Sequence, residues 1–342
     1  MRIEGNKNMS EAGDHLFIGF KGLDIDQELR HLIREYHPSG AVLFKRNIEG
    51  REQLKALVSS ARACAMEECG RPLLFAIDQE GGSVQRLASH FSSLPSARSL
   101  AEKGRESVAE WAAICARDLK EIGVEINFAP VMDIVDDPEN HFMTSRSFGS
   151  TPEKVSELAT VFIETLQAKG ISATAKHFPG LGRARLDPHH FAPVIEGDRE
   201  EDFRRDLVPF SAAVKAGVNC MMTSHAVYPS VDPGLPATFS NEICGLLLRQ
   251  RMGFSGVLFA DDLDMAAICE NFSPADSARL GLACSIDFFL LCQKSENIEP
   301  MYRALCDQLQ ADSSLRGFHG LSVQRIEKLR RFHERGKERQ IR

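Results

Sequence analysis

The sequence has no Cys-x-x-Cys pair. Its nine cysteines, at 64, 69, 115, 220, 244, 269, 284, 292 and 306, are scattered through apolar or helical surroundings. Zinc-ribbon and dithiol redox readings therefore fall away, and an odd set of single thiols fits a reducing compartment. No apolar run is long enough to span a bilayer. The opening MRIEGNKNMSEAGDH is polar and lacks the apolar core of a secretory signal. These features lead us to expect a cytoplasmic protein without membrane insertion. Positive charge is also short: 41 Lys and Arg against 48 Asp and Glu leave a net charge of −7, which argues against nucleic acid or an anionic membrane as partner. The one basic stretch, Arg325 to Arg342, reads as a solvated C-terminal helix and tail. No internal repeat, low-complexity segment or Pro/Gly-rich linker divides the 342 residues. One domain over 1–342, with a core of about 14–335, is expected.

What the chain does have is an alternation of short apolar runs with helical patterns. The runs are Leu16–Phe20, Ala41–Phe44, Leu73–Ile77, Glu125–Ala129, Ser172–Ala175, Val218–Thr223, Val257–Ala260 and Ile286–Leu291. Helical spacing covers 27–36, 51–69, about 101–122, 152–169, 202–216, 241–252, part of 265–283, 299–310 and 323–335. Continuous apolar strands are those buried on both faces, as in a parallel sheet. Eight of them at this length predict an α/β fold, a single (β/α)8 TIM-type barrel. An open dinucleotide-binding sheet would carry Gly-x-Gly-x-x-Gly after its first strand, where Phe20-Lys21-Gly22-Leu23 stands instead.

Barrel enzymes carry their chemistry where strands end. The third run ends in Asp78-Gln79-Glu80-Gly81-Gly82-Ser83-Val84-Gln85-Arg86. Two glycines permit a tight turn, and a carboxylate with a guanidinium suits neighbouring hydroxyls; an Asp78–Arg86 ion pair under a loop fits the same residues. The seventh run ends in Ala260-Asp261-Asp262-Leu263-Asp264, and a carboxylate directly after an apolar strand is costly unless paired or used. Asp264 fits a helix N-cap. After the fourth run come Asp133, read as structural, and a loop carrying Arg146. The sixth ends in Thr223-Ser224-His225, with no role assigned to His225. The fifth runs into Lys176 and His177, then Pro179, Gly180 and Gly182, and finally Asp187-Pro188-His189-His190. A buried strand that meets charge and then glycine delivers polar groups to a loop-built site. A carboxylate two residues before a histidine can orient the imidazole and stabilise its protonated form.

Lys176-His177-Phe178-Pro179-Gly180-Leu181-Gly182, then Asp187-Pro188-His189, resembles the signature of bacterial family 3 β-N-acetylglucosaminidases. Asp78 to Arg86, HPSGAVLFKRNI at 37–48, Arg146-Ser147-Phe148-Gly149 and the segment after the seventh run resemble further motifs of that family, in order. The resemblance extends from about Leu16 to Cys292. It implies Asp261 as nucleophile, His189 as general acid/base, Asp187 as its dyad partner, and Asp78, Arg86, Arg146, Lys176 and His177 as substrate ligands. Ala260 and Pro188 stand where the family often has serine. The implied activity is retaining hydrolysis of terminal β-linked N-acetylglucosamine through a covalent glycosyl-enzyme. The implied substrate is a muropeptide from peptidoglycan recycling, with no metal or organic cofactor, and a monomer is expected. Alternatives at this stage are a family 3 β-glucosidase, an N-acetylglucosaminide phosphorylase, a metal-dependent barrel hydrolase using His177, His189, His190 and Asp261, and a non-catalytic sugar-binding protein.

Overall fold

A computed structural model describes residues 11–87, 91–136, 142–184, 193–195 and 199–341. Eight parallel strands close into a barrel. They are β1 Leu16–Gly19, β2 Gly40–Leu43, β3 Leu74–Ile77, β4 Ile126–Asn127, β5 Ser172–Phe178, β6 Cys220–Thr223, β7 Val257–Asp262 and β8 Phe288–Leu291. Each pairs with its neighbours in chain order, and β8 returns to β1 through Leu16 opposite Phe289. All eight apolar runs are barrel strands. Strand β5 extends past its apolar part through Lys176 and His177, because Val131 and the β6 end supply partners there. No helix among the described residues is long and apolar enough to cross a membrane.

Side-chain alternation sorts each strand between two cores. Phe17, Leu74, Ala76, Phe128, Phe259 and Phe288 fill the barrel, whereas Leu16, Ile18, Phe75, Ile77, Leu258 and Phe289 lie under the helices. The interior rings meet edge-on or tilted, with centroids 4.7 Å apart for Phe17–Phe288 and 5.1 Å for Phe128–Phe259, the arrangement aromatic quadrupoles favour. Strand β5 breaks the apolar filling. Ala173 and Ala175 join the outer layer, leaving the inward parity to Ser172, Thr174 and Lys176.

Helices follow the expected spacing with three differences. The span expected over 101–122 is two helices, Ala97–Lys103 and Arg105–Glu121, separated at Gly104, whose φ of +93° interrupts the turn. The helix Glu242–Arg251 is wound in the wider π form. The final helix is Ser313–Ile341, longer than its sequence signal because Gly317 and Gly320 weaken the propensity of its first turns.

That last helix crosses the N-terminal mouth of the barrel. Ile326 and Leu329 join the interior core. Arg330 donates to the carbonyls of Pro72 at 2.8 Å and Ser39 at 3.1 Å, just before β3 and β2. His333 meets Ser172 Oγ at 3.0 Å. Arg325 at 2.7 Å and Arg249 at 2.8 Å hold the fully buried carboxylate of Asp287, ahead of β8. With this end filled, the strands' C-terminal ends form the mouth.

Candidate active site

The mouth contains a cavity of about 450 Å³. The interior parity of three strands predicts what enters it. Leu74 and Ala76 lead to Asp78, Thr174 leads to Lys176, and Phe259 leads to Asp261. All three charged residues line the cavity, as do Arg86, Arg146 and His177.

One wall is a connected set of charges. Lys176 Nζ donates to Asp78 Oδ1 at 2.8 Å and contacts Glu80 Oε1 at 2.7 Å. Arg86 reaches Asp78 Oδ2 at 3.0 Å. Arg146 grips Glu80 with two bonds of 2.8 Å each, the fork geometry that makes arginine–carboxylate pairs strong. Burial pushes both carboxyls up, but the adjacent cations outweigh it: Asp78 lies well below the usual carboxylate range and Glu80 at about 2. Burial pushes Lys176 down, and the two carboxylates more than restore it. The wall therefore presents fixed anions and cations at neutral pH.

His177, which follows a cis peptide from Lys176, is held at both ring nitrogens. Nδ1 lies 2.8 Å from Asp133 Oδ2, and Nε2 lies 3.5 Å from Arg146 Nη2. Arginine can only donate, so Nε2 is the acceptor and Nδ1 carries the proton toward Asp133. Asp133 also accepts the backbone N–H of Leu181 at 2.7 Å. This matches its structural reading and ties β5 to the loop beyond it.

Asp261 occupies the end of β7, and its Oδ1 accepts the N–H of Asp262 at 2.8 Å. Asp262 turns toward the β8 loop, accepting the N–H of Cys292 at 3.1 Å. Burial, then the negative charges of Asp264 and Asp261, raise its pKa to about 7. Asp264 does not cap a helix. Met265 holds that position ahead of Ala266–Cys269 without a side-chain bond. Asp264 instead accepts from Gln293 N, Lys294 N and Asn297 Nδ2; three donors after β8 outcompete the cap. Beneath this turn His225 bridges Thr238 Oγ1 at 2.7 Å and the Asp262 carbonyl at 3.2 Å. Ala260 belongs to the layer under the helices, so a hydroxyl there would face away from the cavity.

Asp262, Asp264 and Gln293 also reach the cavity, and its apolar lining includes Phe44, Phe128, Phe142, Met222 and Leu290. Arg86 approaches the Phe44 ring at 5.5 Å. The Asp78 loop folds into a two-stranded ribbon, Gln79–Gly81 with Val84–Gln85. Gly81 and Gly82 turn it with φ of +100° and +58°, as the paired glycines predict. Asp187, His189 and the intervening Pro188 lie outside the described residues, as does His190. Ala184 is the last described residue before them, and Leu181 already lines the cavity. Among the described residues no three His, Cys, Asp or Glu side chains form a metal-holding group. The residue that the sequence reading passed over is Glu80. The available signal was its spacing: it lies two positions beyond Asp78, on the same face of an extended chain.

A closed (β/α)8 barrel with fixed charges and apolar surface around one cavity at its strand C-terminal ends is built as an enzyme for a small polar molecule. Residues 10–327 match the glycosyl hydrolase family 3 N-terminal domain. The chain is 36% identical over 292 residues to a β-hexosaminidase of Pseudomonas aeruginosa, covering 85% of this chain and 86% of that protein. It is 35% identical over 326 residues to a β-hexosaminidase of Alkalilimnicola ehrlichii, covering 93% and 91%. A family 3 β-N-acetylglucosaminidase from Paenibacillus superimposes with a TM-score of 0.89 at 33% identity; the match covers 95% of this chain but only 62% of that longer one. A β-N-acetylhexosaminidase from Beutenbergia cavernae gives 0.88 at 31% identity, covering 94% and 97%. The chain belongs to glycoside hydrolase family 3.

Proposed function

We propose that this family 3 enzyme is a β-N-acetylhexosaminidase that removes terminal β-linked N-acetylglucosamine by double displacement. The observation that carries this reading is Asp261 at the end of β7, lining the same cavity as the Asp78–Lys176–Glu80–Arg146 wall. Asp78, Arg86, Arg146, Lys176 and His177 hold the sugar's hydroxyl and acetamido groups. Asp261 attacks the anomeric carbon and forms the glycosyl-enzyme. His189 protonates the departing oxygen and then deprotonates the incoming water, with Asp187 keeping the imidazole oriented. A histidine in this role puts no second carboxylate beside Asp261, and its ordinary pKa lies near neutrality.

The preferred substrate in this reading is an anhydro-muropeptide released during peptidoglycan recycling, handled in the cytoplasm by a monomer. Nine free cysteines, six of them buried, support a reducing compartment.

Hydrolysis of para-nitrophenyl N-acetyl-β-glucosaminide beside the plain glucoside tests specificity. The acetamido substrate should be favoured, and equal rates would point to a β-glucosidase. A 5-fluoro N-acetylglucosaminyl fluoride, which keeps the acetamido group, should leave an adduct that peptide mapping places on Asp261. Asp261→Asn should lower kcat by at least about 10³-fold. An adduct on another residue, or sugar binding without turnover, would remove Asp261 from the nucleophile's role.

A further inference from the structure

A second cavity, of about 700 Å³, lies at the opposite end of the barrel and takes no part in the proposed hydrolysis. Its floor is three loops that lead into β5, β6 and β7, around Gly170, Gly217 and Gly253. The final helix forms its wall. Six lining residues are basic, namely Lys120, Lys169, Arg325, Lys328, Arg331 and Arg335, and none is acidic. On a chain of net charge −7 this is a local reversal of sign.

Two of the six have evident structural partners. Arg325 binds Asp287, and Lys120 Nζ lies 3.3 Å from the Lys169 carbonyl at a helix end. Cations near helix C-termini are favoured by the helix dipole, which accounts for Lys120 and Lys169. It does not account for Lys328 and Arg331, which project from the middle of the final helix rather than its last turn. Among the described residues neither Lys328, Arg331, Arg335 nor Lys169 is in a salt bridge; Lys328 reaches only Ser255 Oγ at 3.4 Å, and Arg331 Nε only the Glu327 carbonyl at 3.2 Å. The loops opposite are bare, since a Cβ at Gly217 or Gly253 would meet nothing within 4 Å. Phe254 and the part-exposed Phe332 add ring surface to the same lining.

We propose that this cavity is a second ligand site, for a small phosphate-bearing molecule with a flat ring, of the nucleotide class. Lys328, Arg331 and Arg335 would meet the phosphates and Phe332 the ring. Guanidinium and ammonium groups suit phosphate oxygens, and the volume is in the range of ligand pockets. Charge alone would favour any polyanion, whereas the aromatic surface and the concave lining favour a small ringed one.

Titration calorimetry on the full chain, with uridine diphosphate as probe and ionic strength held constant, tests this. The expected result is one saturable site per chain, filled more tightly by uridine diphosphate than by pyrophosphate or uridine. Saturating N-acetylglucosamine should leave it unaffected. The exposed pair Lys328→Glu and Arg331→Glu should weaken it by about tenfold or more while glycosidase activity and the circular-dichroism spectrum stay unchanged. Lys328→Arg with Arg331→Lys should retain it. Absence of saturation at millimolar ligand, equal affinity in the charge-reversed variant, no advantage over pyrophosphate, tighter binding of a single-stranded oligonucleotide, or competition by N-acetylglucosamine would each overturn the proposal. None of these readouts depends on which residue performs the hydrolysis.

Discussion

Glu80 joins Lys176, within β5, to Arg146, in the loop that follows β4, two cations that would otherwise repel across the cavity. It is buried and ionised far below neutrality, with a pKa of about 2. Replacing it with glutamine keeps the shape but leaves two buried cations short of one anion. We expect Glu80→Gln to lower kcat/KM by about 10²-fold, with KM rising, because a lost carboxylate partner lets both side chains leave the positions that meet substrate. Steady-state kinetics on the nitrophenyl substrate measures this, and an unchanged kcat/KM would show that Lys176 and Arg146 are held well enough without it. Asp78, Lys176 and Asp261 were legible because each stands at the end of an apolar run. Glu80 was less so: its spacing from Asp78 hints at the same face, but its importance lies in two partners 66 and 96 positions away, at Arg146 and Lys176. Asp264 misled for a related reason: its local spacing fits a cap, whereas three donors after β8 are invisible to a local pattern.

The barrel strands were readable as elements because burial on both sides leaves an unbroken apolar run, which a parallel barrel imposes. Helix ends were less so. Gly104 divides a span whose apolar spacing continues across it, and the glycines at 317 and 320 conceal the first turns of the final helix. That helix has an energetic role at the barrel's base. Asp287 is wholly buried and receives Arg325, Arg249 and Ser322 together with the N–H of Leu258. Its carboxyl feels burial first, which raises its pKa, yet the two guanidinium groups bring it below the ordinary value. Arg325→Ala would leave this anion half-compensated and should destabilise the fold by about 3 kcal/mol. Urea unfolding reads the loss directly. Arg325→Lys should recover part of it, since an ammonium restores the charge but not the forked contact. No change in either variant would mean that Arg249 alone satisfies Asp287.

At the scale of the whole molecule, buried histidines link stability to pH. His15 lies between the Asp287 carbonyl at 2.9 Å and His319 Nδ1 at 2.9 Å. Burial, then repulsion from His319, lowers its pKa from 6.5 to about 4. The unfolded chain therefore takes up a proton at His15 before the folded one does. This residue's contribution is fully present above pH 6.5 and is lost as pH falls toward about 4. In that window it should make unfolding free energy rise with pH by up to about 1.4 kcal/mol per pH unit. Asp206 and Asp262, both raised to about 7, act in the opposite direction, because the folded state binds their protons first. The His15 part is isolated by comparing denaturant midpoints of wild type and His15→Gln across the window. Relative to wild type, the variant's stability should rise less, or fall more, with pH across the window, and parallel curves would assign the acid limb to other groups.

Ile326 and Leu329 leave the ribosome after every strand whose interior they cover. During synthesis the ring of eight strands can be complete in sequence while its base is still open, with the interior core lacking its last members. Nascent chains of this protein thus pass through a stage that exposes apolar surface until the closing helix is made, and a stall before residue 326 would hold them there, a species suited to chaperone capture rather than to catalysis.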